Sequence, residues 1–124
     1  MGKTGAYVFV CLTVIFTVIG QLLIKWQAGS AGALPAGWSS RIGFLFNLLV
    51  NPWIIVGLFC AVIAALAWIL AMTRLPLGVA YPMMSLTYPL VICGGWLLFR
   101  ESLSQWQLMG AALILAGVAL VGLR

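Results

Sequence analysis

The chain has no histidine and a single acidic residue, Glu101. One carboxylate without an imidazole offers no acid–base pair and no activated nucleophile, so hydrolytic or general acid–base chemistry is not expected and the protein does not read as an enzyme. Its three cysteines, Cys11, Cys60 and Cys93, fall inside apolar segments without CxxC spacing. No metal site and no cofactor is implied by such a set. Charge of either sign is scarce, at 6% of 124 residues, where soluble domains carry roughly 25%. The six basic residues Lys3, Lys25, Arg41, Arg74, Arg100 and Arg124 stand singly near the ends of apolar runs. They form no basic patch, so nucleic acid is not an expected partner, and most read as cations snorkelling to lipid headgroups.

What the chain has instead is apolar surface. Hydrophobic residues make up 65% of it and the mean hydropathy is +1.24, which marks an integral membrane protein. Spans are predicted at about residues 5–26, 52–73, 77–99 and 105–123, each long enough at ~1.5 Å per residue to cross a hydrocarbon core of ~30 Å. The first is longer than the roughly 7–15 residues of a signal-peptide core and lacks a clear small-residue cleavage site, so it is expected to remain in the mature protein. The fold class is therefore all-α, an integral membrane bundle of four transmembrane helices forming a single domain over 1–124. The stretch 27–51, opening QAGSAGALPAGWSS, reads as a loop. Within it, Arg41 to Val50 reads as an interfacial helix or an extension of the next span. Asn51-Pro52 suits a helix start, with Asn as N-cap and Pro in the first turn.

One polar feature organises the first span. In TVIFTVIGQLLIKW, Thr13, Thr17, Gln21 and Lys25 recur every four residues and share one side of a helix. Polar groups cost several kcal/mol each if left unsatisfied in hydrocarbon, so this stripe must face protein, water or a polar ligand.

The second span is rich in Ala and Gly, suits close packing, and offers little functional content. The short turn at Thr73 to Pro76 makes it an antiparallel neighbour of the third. There Tyr81, Ser85 and Tyr88 share a face, and Pro82 and Pro89 each withhold an N–H from the carbonyl four residues earlier, Gly78 and Ser85, so the helix is expected to be kinked. The prolines either expose those acceptors or only shape the helix. Glu101 reads as a partner of Arg100, as an acid near the next helix N-terminus, or as a partner of Lys25 on the same membrane side. On the fourth span, Gly110, Ile114, Gly117 and Val121 form a small-residue face, either a dimer seam or packing within the protomer. Basic residues divide evenly between the two sides, Lys3, Arg74 and Arg124 against Lys25, Arg41 and Arg100, so orientation is not fixed by charge. Four short helices enclose too little interior to pass a large solute, and a dimer is expected, with an identical or paralogous subunit.

With these residues in view, GQLLIKW in the first span, LPLGVAYPMMSL entering the third, and ESLS ahead of Gly110 and Gly117 resemble the small four-helix branch of the drug/metabolite transporter superfamily. Within it the chain is most similar to the undecaprenyl-phosphate-aminoarabinose flippase subunits, over all but the loop 27–51. Small multidrug exporters share the plan and carry a membrane-embedded glutamate in the first span; the corresponding position here is Thr17, which argues against proton-coupled export of cations. The resemblance implies a bacterial inner-membrane flippase for a polyprenyl-phosphate-linked sugar, such as the 4-amino-4-deoxy-L-arabinose derivative used in lipid A and lipopolysaccharide modification. Lys25, Gln21, Thr17, Tyr81, Ser85, Glu101 and Tyr88 are then the substrate-binding candidates, and the partners are membrane lipids, the lipid-linked sugar phosphate and a second subunit. Two alternatives are an exporter of small solutes and a non-transporting subunit assisting a glycosyltransferase.

Overall fold

A computed structural model describes residues 2–30 and 32–123. Arg124, one of the basic residues weighed above, lies outside them. The elements are α1 (Lys3–Ser30), α2 (Trp38–Leu49), α3 (Pro52–Met72), α4 (Leu77–Met84), α5 (Thr87–Phe99) and α6 (Gln105–Gly122). Among the described residues, four stretches are long and apolar enough to cross a membrane: Thr4–Ser30, Pro52–Met72, Leu77–Phe99 and Gln105–Gly122. The protein is an all-α, four-span membrane bundle, and its surface is dominated by exposed Leu, Ile, Val, Phe and Trp side chains suited to lipid.

α1 and α3 form the central pair. They run antiparallel, with Gly20 against Gly57 near one end and Ala6, Val10, Ala71 and Leu75 in one buried cluster at the other. Buried Ile54, Gly57, Cys60, Ala64, Ala67 and Ala71 recur every three or four residues along α3, the small-residue pattern that lets backbones approach in lipid. A Cβ on Gly20 would stand 2.9 Å from the Gly57 carbonyl oxygen. At that point backbone packs on backbone.

α1 continues past the predicted loop boundary at Gln27. Its 28 residues make about 42 Å of helix, longer than the ~30 Å core, a length that a span accommodates by tilting or by projecting past the hydrocarbon. In its last turn the Gln27 side-chain oxygen accepts from Asn51 Nδ2 at 2.9 Å, and Ser30 Oγ donates to the Gln27 carbonyl at 3.1 Å. Tertiary bonding thus holds as helix a stretch whose Gly/Ser content read locally as loop. Asn51 also caps α3, its Oδ1 accepting the Trp53 amide at 2.9 Å with Pro52 at the first helical position. Because Asn51 serves both helices, Asn51→Ala is expected to lower stability by about 1–2 kcal/mol, measurable as a shifted unfolding midpoint in mixed micelles.

The third span is two helices. Pro89 sits in the first turn of α5, where its missing N–H costs nothing, and the chain turns at Ser85-Leu86. Short-range bonds carry it through that turn, Ser85 and Leu86 amides donating to the Pro82 and Met83 carbonyls at 3.0 and 3.1 Å. α6 lies against α4 and α5 at the periphery, with only Ala111 buried. It opens with a capping box, Ser104 Oγ accepting the Gln107 amide at 3.1 Å and Gln107 Oε1 the Ser104 amide at 3.0 Å.

Candidate functional site

The stripe on α1 divides into three environments. Thr13 is buried, and its hydroxyl donates to the Phe9 carbonyl at 2.8 Å with the Ala64 carbonyl of α3 at 3.3 Å. It joins the two helices at the floor of the cleft described next, with its hydroxyl already engaged. Thr17 and Gln21 line a cleft of about 330 Å³ between α1, α3 and α4, whose opposite wall carries Trp68 and Tyr81. The two rings stand edge to face, 5.7 Å apart at 87°, a geometry that fixes both. Most of the remaining lining is apolar, from Gly20, Ile24, Gly57, Ala61 and Ala65, so the cleft is an apolar pocket carrying a few convergent polar groups. Trp68 is a functional candidate that the sequence reading missed. The available signal was its place four residues after buried Ala64, at the edge of the small-residue face of α3.

Gln21 also borders a second recess of about 340 Å³ between α1 and α5, with Lys25, Val91, Gly95 and Glu101. Lys25 Nζ and Glu101 Oε1 are 3.7 Å apart, and the two side chains are 60% and 49% exposed. A specific backbone device brings Glu101 there. Arg100 ends α5 in the left-handed region at φ 55°, a conformation costing a non-glycine residue roughly 1–2 kcal/mol. The chain reverses, the Glu101 amide donates to the Gly95 carbonyl at 3.3 Å, and the carboxylate lies over Gly95. A Cβ at Gly95 would come within 2.8 Å of Glu101 Oε2. Of the readings open for Glu101, the structure realises the one with Lys25. Trp26 and Trp53 pack at 5.5 Å beside this end of α1, the kind of aromatic pair found at headgroup level.

Tyr81 is in the cleft, whereas Ser85 and Tyr88 line neither it nor the Lys25 recess. The turn at Ser85-Leu86 ends the shared helical face that the spacing predicted. The Ser85 carbonyl, expected to be released by Pro89, accepts the Tyr88 amide at 3.1 Å instead, and the Ser85 hydroxyl donates to the Pro82 carbonyl. Pro82 stays inside α4 and leaves the Gly78 carbonyl without its helical donor. On α6, Gly110, Ile114 and Val121 are half-buried and Gly117 is exposed. A Cβ at Gly110 or Gly117 would meet nothing within 4 Å.

Neither a family model nor a solved structure matches the chain. Curated relatives do. The chain is 35% identical over 115 residues, 93% of its length and 92% of the relative's, to a probable 4-amino-4-deoxy-L-arabinose-phosphoundecaprenol flippase subunit ArnE of Aeromonas salmonicida. It is 35% identical over 124 residues, 89% of the chain and 82% of the relative, to the probable subunit ArnF of Shewanella sediminis. With the probable ArnF of Erwinia tasmaniensis the identity is 36% over 114 residues, 88% of the chain and 87% of the relative. These values do not sort the chain to one subunit type or the other.

Proposed function

We propose a function from one premise: the chain belongs to the family of 4-amino-4-deoxy-L-arabinose-phosphoundecaprenol flippase subunits. It is a multi-pass protein of the bacterial inner membrane and acts as a transporter subunit, without catalysing a reaction. It moves a polyprenyl phosphate bearing 4-amino-4-deoxy-L-arabinose, or a closely related sugar, from the cytoplasmic to the periplasmic leaflet for lipid A modification. The observation that carries this reading is the Lys25–Glu101 pair beside Gln21.

The pair matches the two charges of such a headgroup. Lys25 takes the phosphodiester, displacing Glu101, and the freed carboxylate meets the ammonium of the amino sugar. Gln21, Thr17 and Tyr81 offer hydrogen bonds to sugar oxygens along the cleft, while Ser85 and Tyr88 serve only after a movement of the α4–α5 turn. The work is done with a second subunit, identical or paralogous, seated on the α6 face of Gly110, Ile114, Gly117 and Val121.

Native mass spectrometry of the purified chain tests the assignment. Retention of the aminosugar lipid over a lipophilic cation such as tetraphenylphosphonium is the expected result. Preference for the cation would assign the chain to solute export and overturn the proposal.

A further inference from the structure

We infer that the apolar groove beside the Lys25 recess holds the first prenyl units of the lipid whose phosphate Lys25 binds. The groove, about 400 Å³, is lined by Ile19, Leu22, Leu23, Trp26, Leu98 and Phe99. The inference rests on the functional reading above, and adds a tail site to it.

Continuity carries the argument. Leu22 and Phe99 line both the groove and the Lys25–Glu101 recess, and Gln21 lines both that recess and the Trp68–Tyr81 cleft. Consecutive residues on a helix point about 100° apart, so Gln21 and Leu22 divide the surface of α1 into a polar and an apolar side on either flank of Lys25. The order in space is apolar groove, cationic recess, polar and aromatic cleft. That is the order hydrocarbon, phosphate, sugar along a glycosylated prenyl phosphate. A lipid anchored through its phosphate at Lys25 has its first carbons delivered to the groove, and the rest of the chain stays in the bilayer.

The wall between groove and recess is fixed. Leu22 sits on α5 at Gly94, where a Cβ would come within 2.8 Å of Leu22 Cδ1. Leu98 is 65% exposed in the groove, and its neighbour Leu97 is 68% exposed and does not line the groove. The two leucines therefore make a matched pair, alike in chemistry, exposure and depth, and different only in which side of α5 they face.

The experiment uses the full chain in lipid nanodiscs and a polyprenyl phosphate carrying a diazirine in its first prenyl unit. Photolysis is expected to place adducts on the groove residues about tenfold above Leu97 and above Leu113, an exposed leucine of α6, the preference that burial of one to two methylene equivalents supplies. Excess unlabelled aminosugar lipid should remove them. Leu98→Asn is expected to weaken lipid retention about three- to tenfold while Leu97→Asn leaves it unchanged. Adducts spread evenly over the lipid-facing surface, groove adducts that resist competition, or equal effects of the two substitutions would each overturn the groove as a tail site. If the chain retains no polyprenyl phosphate at all, the functional reading fails and the tail site with it. Retention with uniform labelling defeats the tail site alone.

Discussion

Gly20→Ala is expected to lower the stability of the bundle by about 2–3 kcal/mol, near the upper end for overpacking a tight contact. The added methyl would stand 2.9 Å from the Gly57 carbonyl oxygen, a backbone atom that can recede only if α3 moves as a whole. Gly57→Ala is the milder partner at about 1–2 kcal/mol. Its Cβ would meet Ile24 Cγ1 at 3.0 Å and the Gly20 carbonyl oxygen at 3.2 Å, and the Ile24 side chain can turn aside. Gly110→Ala and Gly117→Ala provide the contrast. Their methyls enter open space, and a mid-helix Gly→Ala change gains up to ~1 kcal/mol from backbone preference. In the protomer both are expected to be neutral or stabilising. Unfolding in micelles at increasing denaturant mole fraction gives the ranking. If Gly20→Ala is as benign as Gly117→Ala, the α1–α3 crossing is looser than described. A loss at Gly117 that appears only where the protein self-associates would assign the α6 face to a partner.

The four spans were legible because long apolar runs leave few alternatives in lipid. Asn51-Pro52 was legible as a start because N-capping is a local interaction. Local reasoning also located the trouble at Pro82 and Pro89 but misjudged its result. It counted a freed Ser85 carbonyl, while the chain closed the gap with the Tyr88 amide and broke the helix between Tyr81 and Tyr88. What escaped the sequence is tertiary. Nothing in Gln27 to Ser30 announces a bond to Asn51. Arg100 carries no signal for a left-handed conformation, so the fold of Glu101 over Gly95 could not be read off. The pairing of Lys25 with Glu101 was available only as a matter of which membrane side each occupies. Trp68 was passed over because, in a span of Ala and Leu, a tryptophan looks like another lipid-facing side chain.

Lys25→Ala is expected to reduce retention of polyprenyl phosphate and its aminosugar derivative about thirtyfold, within the range for losing a charge-assisted hydrogen bond. The fold should survive, because an ion pair this exposed contributes under ~1 kcal/mol. Removal of the cation also leaves Glu101 as an unpaired anion facing the phosphate, so Lys25→Ala/Glu101→Gln should recover part of the loss. Gly95→Ala separates geometry from charge. Its methyl would strike Glu101 Oε2, the far end of a flexible side chain, and shift the carboxylate from Lys25 at little cost in stability. With that competitor withdrawn, retention of the bare polyprenyl phosphate should rise, up to about fivefold for a pair worth up to ~1 kcal/mol. The preference for the aminosugar form should fall, because the carboxylate no longer stands where the ammonium arrives. Native mass spectrometry of the four proteins against both lipids reads all these effects. Equal retention by wild type and Lys25→Ala would return Lys25 to a snorkelling interface residue. A Gly95→Ala protein that behaves as wild type toward both lipids would mean that the carboxylate over Gly95 neither competes with the phosphate nor selects the sugar.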